Sequence, residues 1–153
     1  MNIVTAFRSP AAFTPGWKLA KERPNEFGYR DVPIERGRAA DVAERLPQDL
    51  KEKLAGVNIR SIDPLELAQL SLMLHREGYL SCDAWGELGV LQVDYHGPVD
   101  PLTLTQDALK SIRGVDDTMY RLAIRGYEAA IEAVQGIEAL IDHLNGRLID
   151  VYA

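Results

Sequence analysis

The stretch Ile62–Trp85, IDPLELAQLSLMLHREGYLSCDAW, spells a helix, a stop and a second helix start. Asp63 suits the N-cap, Pro64 the first helical position and Glu66 the third, where its carboxylate can reach back to a free backbone N–H. Ile62 and Leu67 fall where a hydrophobic staple clamps the start of a helix. Gly78 stands where the helix must stop, because a residue without Cβ enters the left-handed conformation without strain, and Tyr79 then folds back onto Leu74 as in a Schellman ending. Ser81 is a second N-cap, with Leu80 and Trp85 as its staple pair.

A helix, a tight turn and a second helix also describe a DNA-binding helix-turn-helix. The second helix excludes that use here. CDAWGELG, residues 82–89, carries two acids and no Lys or Arg, whereas a recognition helix meets phosphates and base edges with basic and amide side chains. The whole chain points the same way, since its formal charge of −6 repels nucleic acid and anionic membrane alike.

Working back from the hairpin, residues 34–61 are rich in helix formers. Ala39, Val42, Ala43 and Leu46 lie at helical spacing, Pro47 breaks or restarts the chain, Leu50 and Leu54 continue the apolar side, and Gly56 is a natural stop. This predicts two short helices or one kinked helix, with Val57–Ser61 as an extended bridge into the hairpin. Residues 1–33 differ in kind. Pro10, Pro15, Pro24 and Pro33 leave no room for an ordinary helix, yet Phe7, Phe13, Trp17, Phe27 and Tyr29 are more large aromatics than a solvated linker carries. We read an extended, partly ordered N-terminal arm lying on the helical body or on a partner, and place a single helical domain at residues 34–153. The arm holds five Lys/Arg against three Asp/Glu, which leaves 12 against 20 for the rest, so a mildly basic arm precedes an acidic body.

Forward of the hairpin, Gly86 and Gly89 weaken the second helix by about 1 kcal/mol each relative to Ala. Leu91, Val93 and Tyr95 then alternate with Gln92 and Asp94 as in a strand, so residues 90–95 are open between helix, strand and loop; a helix ending at Leu88 or Leu91 is the expectation. Asp100-Pro101-Leu102 repeats the earlier helix start: DPLELAQLSL from Asp63 and DPLTLTQDAL from Asp100 share Asp, Pro, two Leu, Gln and the final Leu. Shared capping chemistry explains most of this echo.

The last element is the longest. From Thr118, Ala123, Tyr127, Ala130, Val134, Ile137, Ile141, Leu144 and Leu148 recur at spacings of four and three, with Ile124, Ile131, Ala133 and Leu140 widening the stripe. A helix reaching Leu144 is about 40 Å long, more than short helices would be expected to cover. We therefore expect part of the stripe, namely Tyr127, Ala130, Val134, Ile137, Ile141 and Leu144, to meet a second subunit, with a dimer favoured.

For chemistry the sequence offers little. Cys82 follows the Ser81 cap, and a helix N-terminus favours a thiolate, but His75, His96 and His143 provide no recognised Cys–His spacing, so a small apolar packing role is the simpler reading. Asp94, His96 and Asp100 are the only ligand types close enough to share a loop around a divalent ion, and solvated caps explain them as well. There is no P-loop, GxGxxG, GxSxG or HExxH pattern, and no cofactor is implied. A lone cysteine fits a reducing compartment, and neither a signal peptide nor a run of about 20 apolar residues is present, so a cytoplasmic protein without membrane insertion is expected. The fold class read from all this is an all-α bundle of five or six helices around a long C-terminal helix. The function read from it is a non-enzymatic interaction or scaffold protein that self-associates through that helix and offers its aromatic arm or a hairpin groove to a protein partner. The alternatives are a small-molecule-binding or thiol-dependent domain around Cys82, Trp85, Tyr79 and His75, and an adaptor or chaperone of a secretion or motility system.

Overall fold

A computed structural model describes residues 39–114 and 118–146 of the chain, Met119 without its side chain. The aromatic arm with Phe7, Phe13, Trp17, Phe27 and Tyr29, and the C-terminal Leu148, lie outside the described residues. Among the described residues six helices follow one another: α1 (Ala39–Arg45), α2 (Gln48–Ala55), α3 (Pro64–Arg76), α4 (Cys82–Asp94), α5 (Pro101–Ile112) and α6 (Thr118–Leu144). The all-α bundle with a long C-terminal helix is as the sequence reads, and the break between α1 and α2 falls at Pro47, which stands as the N-cap of α2.

The hairpin follows its grammar closely. Asp63 accepts a hydrogen bond from the Leu65 N–H at 2.9 Å, and Ile62 and Leu67 are both buried. At the far end of α3, Gly78 takes φ 83°. The Tyr79 N–H then donates to the Leu74 carbonyl and the Gly78 N–H to that of His75, the two bonds of a Schellman motif. The Ser81 hydroxyl accepts from the Ala84 N–H at 3.2 Å and starts α4. One detail departs from expectation: Leu80 is buried, but Trp85 is partly exposed and stacks on the His75 ring.

The echo between the two Asp-Pro-Leu segments acquires a physical meaning. Ile62 and Val99, the residues that precede the two caps, form an antiparallel bridge, each donating its N–H to the other's carbonyl at 3.0 and 2.9 Å. α3 and α5 thus depart from one pair of backbone bonds. Asp100 caps α5 more fully than Asp63 caps α3, accepting from the Leu102 and Thr103 amides and from the Thr103 hydroxyl. Arg60, from the loop before the bridge, reaches both Asp100 and Glu138 of α6. Val57–Ser61 is correspondingly a turn and not the extended bridge expected: the Ser61 N–H donates to the Asn58 carbonyl and the Asn58 side chain accepts from the Arg60 N–H.

Helix α4 continues to Asp94, past the Leu88 or Leu91 end read from its glycines, so Leu91 and Val93 are helical. Packing of Ala84, Leu88 and Leu91 into the core outweighs the propensity cost of two glycines. The core itself runs along α6, where Ala129, Ala130, Ala133, Val134, Ile137, Leu140 and Ile141 are buried beneath α1, α2, α4 and α5. The part of the stripe expected to meet a second subunit is thus largely covered by the chain's own helices. Ala130, Val134 and Ile137 are inaccessible and Ile141 nearly so, while Tyr127 and Leu144 are half-buried. Four shorter helices arriving from different sides cover what no one of them spans.

Loss of the caps should register unequally. Asp63→Ala is expected to cost about 1 kcal/mol of unfolding free energy in urea titration, and Asp100→Ala about 1–2 kcal/mol, because three donors lose their acceptor there. Equal, negligible costs would show that these capped helix starts do not fix the fold.

Candidate functional site

Among the described residues, the candidate site is the outer face of the α3–α4 hairpin. Residues 67, 70 and 74 of α3 point into the core, and the helix is apolar a second time on its other side, through Leu65, Ala68 and Leu72. Opposite them α4 presents Trp85 and Val90. Between these walls lies an open groove of about 380 Å³. Leu65 and Val90 are each more than half exposed, and Val93, the next turn of α4, is 73% exposed.

The groove's floor is made by two residues without side chains. A Cβ placed on Gly86 or Gly89 would meet no atom within 4 Å, so nothing in the hairpin's own packing requires glycine at either position. Gly126 of α6 is the contrast. A Cβ there would lie 2.9 Å from Glu87 Cγ and 2.6 Å from its carboxylate oxygen, so this glycine leaves room for the Glu87 side chain. The groove continues toward the α3 N-terminus into a second hollow bounded by Pro64, Tyr95 and His96.

The ends of the groove are held. His75 Nδ1 lies 2.9 Å from the Leu80 carbonyl, to which it donates, and the ring stacks on Trp85 at a centroid distance of 4.9 Å and an interplanar angle of 9°. This fixes the indole as a wall of the groove. Of the four residues read as a thiol or ligand centre, His75 and Trp85 are therefore brought together, Tyr79 is buried in the core, and Cys82 is exposed at the first position of α4. Asp100 of the loop trio is engaged as a helix cap, and no three His, Cys, Asp or Glu side chains gather as a metal site among the described residues.

On its other flank α4 is electrostatically loaded against α6. Asp83 pairs with Arg125 at 2.8 Å. Glu87, one turn on, is half-buried against Gly126, and its pKa is raised above the ordinary 4.5 by burial first and by the neighbouring Asp83 charge second.

Sequence reasoning named a hairpin groove without its residues. The signal was present in the second apolar face of α3, at 65, 68 and 72, and in two glycines of α4 read only as helix-weakening. Neither a family model, nor a curated protein, nor a solved structure matches this chain.

Two measurements check this geometry. Gly126→Ala should lower the thermal midpoint by forcing Glu87 aside, whereas in a Glu87→Ala background the same change should stabilise by up to about 1 kcal/mol, the intrinsic helix preference of Ala; a loss of equal size in both backgrounds would refute the contact. Glu87→Gln should raise the midpoint at pH 7, where the folded state holds an unfavourable carboxylate. That gain should shrink as pH falls through the raised pKa and vanish below 4.5, where folded and unfolded states are both protonated. A gain independent of pH would mean that the charge is not its cause.

Proposed function

We propose that this chain is a non-enzymatic interaction protein whose docking surface is the outer groove of the α3–α4 hairpin. The observation that carries the reading is the glycine floor: Gly86 and Gly89 cost helix stability, face open space, and lie between exposed apolar walls. Glycine at such a place permits another backbone to come close. Packing along α6 supports moving the interaction to the hairpin, because the α6 stripe is covered within the chain; among the described side chains of α6, the large exposed apolar ones, Tyr120 and Leu122, lie near its start.

Size decides what kind of partner fits. Helices of 13 residues are about 20 Å long, and the axes of two packed helices lie about 10 Å apart, giving about 200 Å² on this side. Twice that is well below the roughly 1,200–2,000 Å² of a standard protein–protein interface, so the groove suits one helix or one extended segment and not a folded domain. The lone Cys82 fits a reducing compartment, and a cytoplasmic place of action belongs to the same reading.

Affinity purification of the full chain from its own cells, compared with Gly86→Arg and with Leu122→Glu, tests the reading. A partner retained by the wild type and by Leu122→Glu, and reduced at least about tenfold by filling the groove floor, is expected; tenfold corresponds to about 1.4 kcal/mol. Identical retention by all three proteins would contradict a docking role for the hairpin.

A further inference from the structure

The hairpin is more acidic than the chain around it. From Asp63 to Tyr95 it carries six carboxylates, Asp63, Glu66, Glu77, Asp83, Glu87 and Asp94, against Arg76 alone, a net charge of −5. Asp83 and Glu87 are turned to α6, and the other four carboxylates against Arg76 leave a net charge of −3, with Asp63 bounding the hollow at the groove's end; positive charge beside apolar bulk therefore favours an occupant of the groove. The first 21 residues of the same chain have that composition. They hold Arg8, Lys18 and Lys21 with no Asp or Glu, and among them Phe7, Phe13 and Trp17. The buried core of the described residues contains one aromatic residue, Tyr79, so the body gives these rings no aromatic cluster to join.

We propose that the N-terminal segment centred on Trp17 is the groove's resident occupant, docking in cis over the Gly86–Gly89 floor, with Lys18 and Lys21 in the negative field of the hairpin. The proposal rests on the reading of the hairpin groove as a docking surface and names what fills it. The length of chain allows it. Residues 22–38 separate the segment from the start of α1, and 17 residues span up to about 56 Å when extended, more than the roughly 40 Å length of α6. The fit in length also holds. A valley of about 20 Å accepts six or seven residues at the 3.1 Å rise of polyproline II, and Phe13–Leu19, FTPGWKL, is a seven-residue run whose Pro15 favours that conformation. A protein partner of the groove then competes with a tethered segment, and its apparent affinity is lowered by the fraction of chains in which the groove is already filled.

The chain's one cysteine makes the test direct, because Cys82 is exposed at the start of α4, one turn before Trp85 and Gly86. A nitroxide is attached to Cys82 in the uniformly ¹⁵N-labelled full-length protein, and amide intensities are compared before and after reduction of the label. Selective loss of more than half the intensity of residues 13–21, recovered in Gly86→Arg and separately in Trp17→Ala, is the expected result. A thermal midpoint and circular dichroism spectrum matching the wild type's, recorded for both variants, separate undocking from misfolding. Broadening that is seen only when spin-labelled ¹⁴N protein is mixed with unlabelled ¹⁵N protein would assign the groove to the arm of a second copy and overturn docking in cis. Arm amides unaffected in either sample would overturn the proposal outright, and a groove-dependent partner captured by the same preparation would show that the docking surface survives while its resident does not.

Discussion

The antiparallel bond pair between Ile62 and Val99 is the constraint on which the rest of the structure depends. It is small, two backbone hydrogen bonds, but it brings together chain segments 37 residues apart and sets the departure points of α3 and α5. An Asp-Pro pair follows at once on each side, so the bridge passes directly into two capped helices. Arg60 then links this junction to α6 through Asp100 and Glu138. Those ion pairs are exposed and each contributes little, so the junction relies on buried Ile62 and satisfied caps rather than on charge. With the Schellman turn and the Ser81 cap closing its other end, the α3–α4 hairpin is fixed at both ends. Its outer face is consequently a firm platform.

That platform explains an otherwise costly choice of residues. Gly86, Gly89 and Gly126 all stand inside helices, and they divide by what they face. Gly126 faces Glu87, whose side chain fills the space a Cβ would take. Gly86 and Gly89 meet nothing, so their cost of about 1 kcal/mol each is offset by no contact within the hairpin. The exposed apolar walls beside them are costly in the same sense, since Leu65 and Val90 gain from burial only when something else arrives. Under the proposed docking role, both features belong to one surface that awaits an incoming segment.

Much of the fold was legible in the sequence because it is written in local chemistry. Asp63-Pro64, the Gly78-Tyr79 stop, Ser81 and Pro47 act over a few residues, and each stands in the structure where local reasoning puts it. The parts that were not legible depend on distant partners. Nothing local says that α4 runs on to Asp94, because the Leu88 and Leu91 contacts that hold it are tertiary. Nothing in the spacing of Ala130, Val134 and Ile137 distinguishes a stripe covered by four helices of its own chain from one covered by a second subunit. The Asp63 and Asp100 echo was visible, but the pairing of the residues before it, Ile62 with Val99, needed the fold. The candidate groove was half-legible: α3 is apolar on two faces, and a helix in a small bundle needs only one.

Site-specific photo-crosslinking tests the central claim, that the hairpin's outer face is the docking surface, most directly. p-Benzoylphenylalanine is placed at Val90 in the groove wall or at Leu122 near the start of α6, two exposed apolar positions, and the full-length protein is irradiated in its own cells. The account predicts that the probe at Val90 joins one defined polypeptide segment, identified by mass spectrometry, and that the probe at Leu122 does not. Adducts from Leu122 with none from Val90 would contradict it.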